Sequence, residues 1–311
     1  MSVDKCLEII SDTGKSVKSS VLVELSSITP NELSAFNRIW GCLSEERKCN
    51  VVGSLLILAE DDPSLDFSSI FWESLIDPVD NVRQTAIHGL WENDDRRLVE
   101  KLVNILCHDE NCDVKIAAAT RLASFVDLAV EDKLLVKDRE LLEFKLGGLV
   151  NDECEDINVR RRVLESIAPF NTRDISLEIM KSYESSVPEL IASAVHAMAR
   201  TGSENWLPMI MESLSSAIPS IRYEAVSACG ILGDESIVTR LALMLDDDDL
   251  EIKMATIHSL GEIGGAEATE AIQACIDKGS SLVKSAALDT KHSMDELNRN
   301  NIGVGVDGVI P

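Results

Sequence analysis

Residues able to ligate a metal or act as nucleophiles are few and scattered in this chain: five histidines and eight cysteines in 311 residues. His88, His196 and His258 occupy the same place in a repeated pattern described below, which invites a metal-site reading. Spacing argues against it. The three belong to different, non-adjacent repeats, and helices pack about 8–10 Å apart, so even His196 and His258 should be roughly 20 Å from one another. One ion cannot join them, and they read as surface histidines. The cysteines (Cys6, Cys42, Cys49, Cys107, Cys112, Cys154, Cys229 and Cys275) form no C-x-x-C pair. Cys107 and Cys112 flank His108 but lack the further ligands that zinc requires. The set reads as free thiols, mostly small buried side chains, in a reducing compartment. Asp246 to Asp249 lack the spaced carboxylates and central glycine of a calcium loop and read as a solvated turn. There is no G-x-S-x-G, no H-E-x-x-H and no phosphate-binding glycine loop. On this reading the chain has no catalytic residues, no metal and no cofactor.

The elements that would position any site come from a sequence repeat. With Val82 as an anchor, equivalent residues are Val114, Val159, Leu190, Ile221, Ile252 and Val283, and from Val159 onward the spacing is a constant 31. Four residues past each anchor stand Ala86, Ala118, Val163, Ala194, Ala225, Thr256 and Ala287. Five past are Ile87, Ala119, Leu164, Val195, Val226, Ile257 and Leu288; eight past are Leu90, Leu122, Ile167, Met198, Cys229 and Leu260. Offsets of zero, four, five and eight make one apolar stripe on a helix, and the small residue at plus four lets a neighbouring helix approach closely. Twelve past the anchor, Asn171, Gly202, Gly233 and Gly264 are residue types that tolerate the left-handed conformation ending a helix; Asp94 holds the same column. A preceding helix carries its own stripe, as in Ile237, Leu241 and Leu245. Each unit is therefore a helix, a short turn, a second helix and a stop.

A unit of about thirty residues cannot bury its own stripe, so the expected fold is all-α: a right-handed α-solenoid of about nine antiparallel helix pairs. A single solenoid is expected over 1–297, with divergent repeats over 1–66 and regular ones over 67–292. At the N-terminus Val17, Val21 and Leu25 stand for the anchor, small and plus-eight columns. The 45-residue step from Val114 to Val159 predicts a lengthened unit near 127–158, with a long helix at 133–150 and an acidic turn after it. The stretch 298–311, rich in glycine and asparagine, is expected to be a disordered tail.

The columns resemble HEAT repeats, in particular the short kind called PBS-lyase HEAT-like. The resemblance rests on Asp80-Asn81-Val82-Arg83, Asp113-Val114-Lys115 and Asn158-Val159-Arg160 at the start of second helices, and on Leu260-Gly261-Glu262-Ile263-Gly264 at an end. It covers about residues 3–292 and implies a superhelical scaffold. Two enzyme groups share the repeat. Deoxyhypusine hydroxylases use His-Glu dipeptides as iron ligands, and none occurs here; phycobilin lyases have too diffuse a signature to transfer residue by residue. Such an enzyme or enzyme subunit is the first alternative. A nucleic-acid binder, like the HEAT-like DNA glycosylases, is the second.

Charge separates these readings. The formal net charge is −25, which disfavours phosphate backbones and suits a basic partner. No apolar run is long enough to span a membrane, and the acidic start MSVDKCLEIISD is unlike a signal peptide, so the chain is expected in the cytoplasm. The expected function is a non-enzymatic scaffold or adaptor binding a protein or peptide through the concave face of its second helices. The residues expected to meet that partner are His88, Trp91, Arg161, Glu165, His196, Tyr223, Met254 and His258. The basic column one past the anchor, Arg83, Lys115, Arg160, Arg222, Lys253 and Lys284, is expected instead to brace neighbouring repeats.

Overall fold

The computed structural model describes residues 2–12 and 14–303, with side chains of 297–303 excluded. The described residues are helical throughout their regular structure and contain no strand. The chain divides into two compact units, 1–163 and 164–311, whose boundary falls inside one helix.

The first unit comprises α1 (Val3–Ser11), α2 (Ser19–Leu22), α3 (Pro30–Trp40), α4 (Glu45–Asp61), α5 (Ser68–Ser74), α6 (Asp80–Gly89), α7 (Arg97–His108), α8 (Cys112–Val130), α9 (Val136–Val150) and the start of α10 (Ile157–Ile167). The second holds the rest of α10, then α11 (Arg173–Tyr183), α12 (Pro188–Arg200), α13 (Leu207–Ser213), α14 (Pro219–Leu232), α15 (Val238–Leu241), α16 (Leu250–Ile263), α17 (Gly265–Lys278) and α18 (Ser281–Gly303). Among these helices α5 packs with α6, α7 with α8, α11 with α12, α13 with α14, α15 with α16 and α17 with α18, the sequential pairing expected. Second helices then pack on second helices: α2, α4, α6 and α8 in the first unit, α12, α14, α16 and α18 in the second.

That layering follows from the plus-four column. Ala86, Ala118, Val163, Ala194, Ala225, Thr256 and Ala287 are all 0% exposed. A side chain of this size leaves no ridge between helix axes, so consecutive second helices close on one another. The plus-five and plus-eight columns line the space facing the first helices; Ile87, Val195, Val226, Ile257, Met198, Cys229 and Leu260 are buried. Prolines Pro30, Pro188 and Pro219 open α3, α12 and α14, where a missing backbone N–H costs nothing.

Four details depart from the sequence reading. Val17 lies in the loop between α1 and α2: α2 is a four-residue turn continued by a 3₁₀ turn, and Leu22 and Leu25 fill the core there. The extra length after Val114 goes mainly into α8, 19 residues long, because Phe125, Val126 and Ala129 carry its buried stripe past the usual stop; α9 has 15 residues. Asn171, Gly202 and Gly264 are left-handed as expected, but Gly233 is extended at φ −76°. Its requirement is spatial, since a Cβ there would stand 2.3 Å from Ile237 Cδ1 and 2.4 Å from the Cys229 carbonyl oxygen. The tail expected over 298–311 begins within α18, and its part beyond Gly303 lies outside the described residues.

Three members of the basic column, Arg83, Lys115 and Arg222, brace neighbouring units, while Arg160 donates through Nε to the Val150 carbonyl of its own unit at 3.2 Å. Arg222 donates to Asp247 through Nε (2.7 Å) and Nη2 (3.0 Å), while its Nη1 donates to the Ser216 carbonyl at 2.8 Å. Arg83 does the same between its own turn and the next, bonding Asp109 at 2.7 and 2.8 Å and the Asp77 carbonyl at 2.9 Å. Lys115 reaches Glu155 at 2.7 Å. Asp109 and Asp247 belong to a column five residues before the anchor, whereas Glu155 stands four before Val159. Asp77, Asp109, Ser185, Ser216 and Asp247 each accept the backbone N–H two residues on, shaping the turn between paired helices. Trp40 Nε1 and Lys48 Nζ bond Asp77 at 2.7 and 2.8 Å, so the first of these turns is held from the preceding unit as well.

The Arg222 hydrogen bonds hold the Asp247 carboxyl below its ordinary value. A lowered folded-state pKa means stability fully present above the unfolded value near 4 and lost as pH falls through the folded one. Asp247→Asn keeps the turn acceptor and removes the charge. It should cost about 1–3 kcal/mol at pH 7 by urea unfolding, and its deficit against wild type should shrink at pH 3. A deficit of equal size at both pH values would refute the bracing role of the charge.

Candidate functional site

The structure distributes the expected contact residues unevenly. His88 and Trp91 come together: both line a hollow of about 220 Å³ between α6 and α8, with Ala117, Thr120, Arg121 and Ser124. Trp91 also lines a second hollow of about 280 Å³, with Leu65, Asp66, Phe71, Glu92 and Asn93. The indole is 60% exposed. The remaining residues are spread over separate helices. Tyr223 on α14 is 41% exposed, Met254 on α16 is half-buried and His258 on α16 is exposed. His196 on α12 is half-buried, its Nδ1 3.0 Å from Glu224 Oε2. His258 Nε2 lies 3.4 Å from Glu262 of its own helix. Among the described residues no group of three His, Cys, Asp or Glu side chains is placed to hold a metal.

Glu165 departs from expectation. It is expected on a partner-facing surface, yet it is only 7% exposed and accepts a 2.5 Å bond from the Ser193 hydroxyl. Ala192, Ser193 and Ala194 are a run of small buried residues on α12, and they let that helix close over the glutamate. Arg161 is half-buried, and its Nε is a buried donor without a bonded acceptor. The column six past the anchor thus changes from exposed to buried with the size of the residues opposite it.

The position of Trp91 has a local cause. In this unit the stop column holds Asp94 in place of glycine or asparagine, so the carbonyls at the end of α6 need another partner. Arg121 of α8 supplies it. Its Nε donates to the Leu90 carbonyl at 2.9 Å and Nη2 to the Asn93 carbonyl at 2.7 Å, with Asp94 Oδ1 at 3.4 Å and the Ser124 hydroxyl also bonded. The guanidinium stacks on Phe125 at 4.5 Å and is 7% exposed. Burial lowers the Arg121 pKa, opposed by the Asp94 charge and hydrogen bond. Gly89 completes the turn: a Cβ there would meet the buried Phe71 ring at 2.5 Å, so only glycine lets α5 lie against the end of α6. The result is a fixed platform carrying an exposed tryptophan. Trp91 is visible in the sequence as a lone aromatic; Arg121 is seven past its anchor, a position that signals nothing without the fold.

Residues 207–290, α13 to the middle of α18, match the family model for HEAT repeats. These are HEAT repeats. Curated proteins yield no match to the chain. Among solved structures, YibA of Escherichia coli is 15% identical, with 80% of this chain and 97% of that one aligned at a TM-score of 0.44. The CpcE–CpcF complex of phycocyanin lyase from a Nostoc species is 16% identical over 76% of this chain and 97% of that one, at 0.47. Human deoxyhypusine hydroxylase is 15% identical over 84% and 95%, at 0.36. At these TM-scores the likenesses assign no activity or partner to this chain. The columns that define the HEAT repeat in α14 and α16 are the ones that also order α6 and α8, where Trp91 sits.

Replacing Arg121 tests the platform. Arg121→Met keeps the packing on Phe125 and leaves the Leu90 and Asn93 carbonyls without their donor, at a cost of about 2–4 kcal/mol. Hydrogen exchange at the Leu90, Trp91 and Asn93 amides, which bond within this turn, should quicken more than at α14. Unchanged protection of those three amides would show that Arg121 does not hold the turn.

Proposed function

We propose that this protein is a scaffold or adaptor that binds a partner polypeptide through the exposed face of its second helices, centred in the first unit on Trp91. The observation that carries the reading is the indole, 60% exposed and lining two hollows, on a turn fixed by a buried arginine. An exposed tryptophan loses hydration-unfavourable area when covered, and the turn beneath it loses little backbone entropy, because the platform already orders it. Tyr223 and Met254 offer smaller contact surfaces on the second unit. The charged column does not compete with this face, since Arg83, Lys115 and Arg222 are engaged in bracing. The chain's surplus of carboxylates favours a partner of basic character.

A photo-reactive phenylalanine placed at Thr120, in the hollow beside Trp91, should form a discrete adduct with another protein in cells. Trp91→Ala should reduce that adduct at least five-fold, and the same photo-reactive residue at exposed Glu100 on α7 should form none. An adduct indifferent to Trp91→Ala, or none at Thr120, would overturn the assignment.

A further inference from the structure

Four aromatic rings of this chain, two of its four tryptophans among them, carry a cation. Lys48 Nζ lies 5.7 Å from the centre of the Trp40 ring, and Arg97 and Lys101 lie 5.6 and 5.5 Å from that of Trp72. Phe125 carries Arg121 and Phe144 carries Lys145. A cation over an indole face is attracted by the ring quadrupole, and tryptophan is the strongest partner. Among the described residues no cation lies over Trp91, although its ring is 60% exposed. The hollow of about 280 Å³ beside it is lined by two exposed carboxylates, Asp66 and Glu92, and by no basic residue.

The chain's own cations near this turn are committed elsewhere. Arg121 is bonded to the Leu90 and Asn93 carbonyls. Arg97 pairs with Asp95 at 2.5 Å and Arg96 with Asp138 at 3.4 Å. Asp66 uses Oδ1 to accept the Ser68 N–H at 2.9 Å, which fixes the carboxylate against the start of α5. An aromatic face, two carboxylates and a recess between them make a receptor for a planar or compact cation.

We propose that this hollow takes an arginine or lysine side chain of the partner polypeptide, with the cation over the Trp91 face and its N–H groups directed to Asp66 and Glu92. The proposal rests on the docking surface argued above and specifies the chemistry of the residue that occupies it. Charge complementarity supports the choice: the guest cation would enter a recess with two carboxylates and no competing positive group, on a chain of net charge −25.

The test uses the full-length protein labelled with 5-fluorotryptophan, which gives one fluorine resonance for each of the four tryptophans; Trp91→Phe identifies the one in question. Titration with Nα-acetyl-arginine amide or Nα-acetyl-lysine amide should shift the Trp91 resonance selectively. The neutral isostere Nα-acetyl-citrulline amide should leave it in place. The double variant Asp66→Asn, Glu92→Gln keeps the acceptor for the Ser68 N–H and the side-chain shapes, and should weaken the arginine response at least three-fold. Equal response to citrulline, a response to Nα-acetyl-leucine amide in place of the cations, or no effect of the double variant would overturn the cation assignment. The cross-link at Thr120 is read separately. An adduct that persists without any arginine response at Trp91 removes the cation and keeps the docking surface, whereas loss of both removes both.

Discussion

Everything in this fold depends on how closely one second helix can approach the next. A two-helix unit has an apolar stripe on each helix and too little of its own surface to cover both. Neighbouring units must supply the cover, and the distance at which they do so is set by the residue four past the anchor. The full burial of all seven residues in that column is the direct expression of this constraint. A larger side chain at any of them would hold two helices apart along their length and open the stripe behind it, so overpacking here would propagate to the neighbouring unit. Close approach also explains why polar residues facing this layer are small or fully bonded. Ser259 donates to the Val226 carbonyl at 3.0 Å, and Thr256 turns its hydroxyl back on the Ile252 carbonyl at 2.7 Å.

Stacking alone does not set the orientation of successive units; the turns between paired helices do. The residue five before each anchor shapes its own turn by accepting a backbone N–H, and in three places an acid there also receives a basic side chain from the previous unit. The two columns match in three places, though Arg160 is followed by Ser185. Arg83 faces Asp109 and Arg222 faces Asp247, but where the column one past the anchor holds Ile191, the next turn holds Ser216. A partly buried carboxylate without its cation would be costly, whereas a serine satisfied by its own backbone needs none. The charge pattern of the repeat is thus read across units, not within one.

This division explains what the amino-acid sequence disclosed. The apolar and small columns were legible because burial acts on size and hydrophobicity at a fixed helical period, and those properties can be read residue by residue. The bracing role of Arg83 and Arg222 was legible for the same reason, since a basic residue next to a buried anchor has one place to go. What depended on the distance between helices was not. Glu165 and His196 hold the same column as His88 and His258, yet Glu165 is covered, because small residues on α12 bring that helix near, and His196 is half-covered beside Glu224. Gly233 fell in the column of left-handed stops and is needed for space, a distinction that only the proximity of Ile237 reveals.

Three departures of the repeat from its own rules fall in one place. The unit of α5 and α6 has no left-handed stop; its turn is held by a side chain from the following unit. A glycine that the columns do not call for, Gly89, is fixed by the Phe71 ring. A tryptophan stands where the turn would otherwise be polar, and it is left exposed while Trp40 and Trp72 are each covered by a cation of the same chain. A buried arginine is an expensive way to end a helix compared with a glycine, because the guanidinium must be desolvated and fully bonded. Glycine would stop the helix equally well but would leave the turn free to choose among conformations. The arginine removes that freedom from the backbone on which Trp91 stands. Local rules are broken in folded proteins mainly where something other than folding constrains the residues, and in this chain that place is the platform under an uncovered indole.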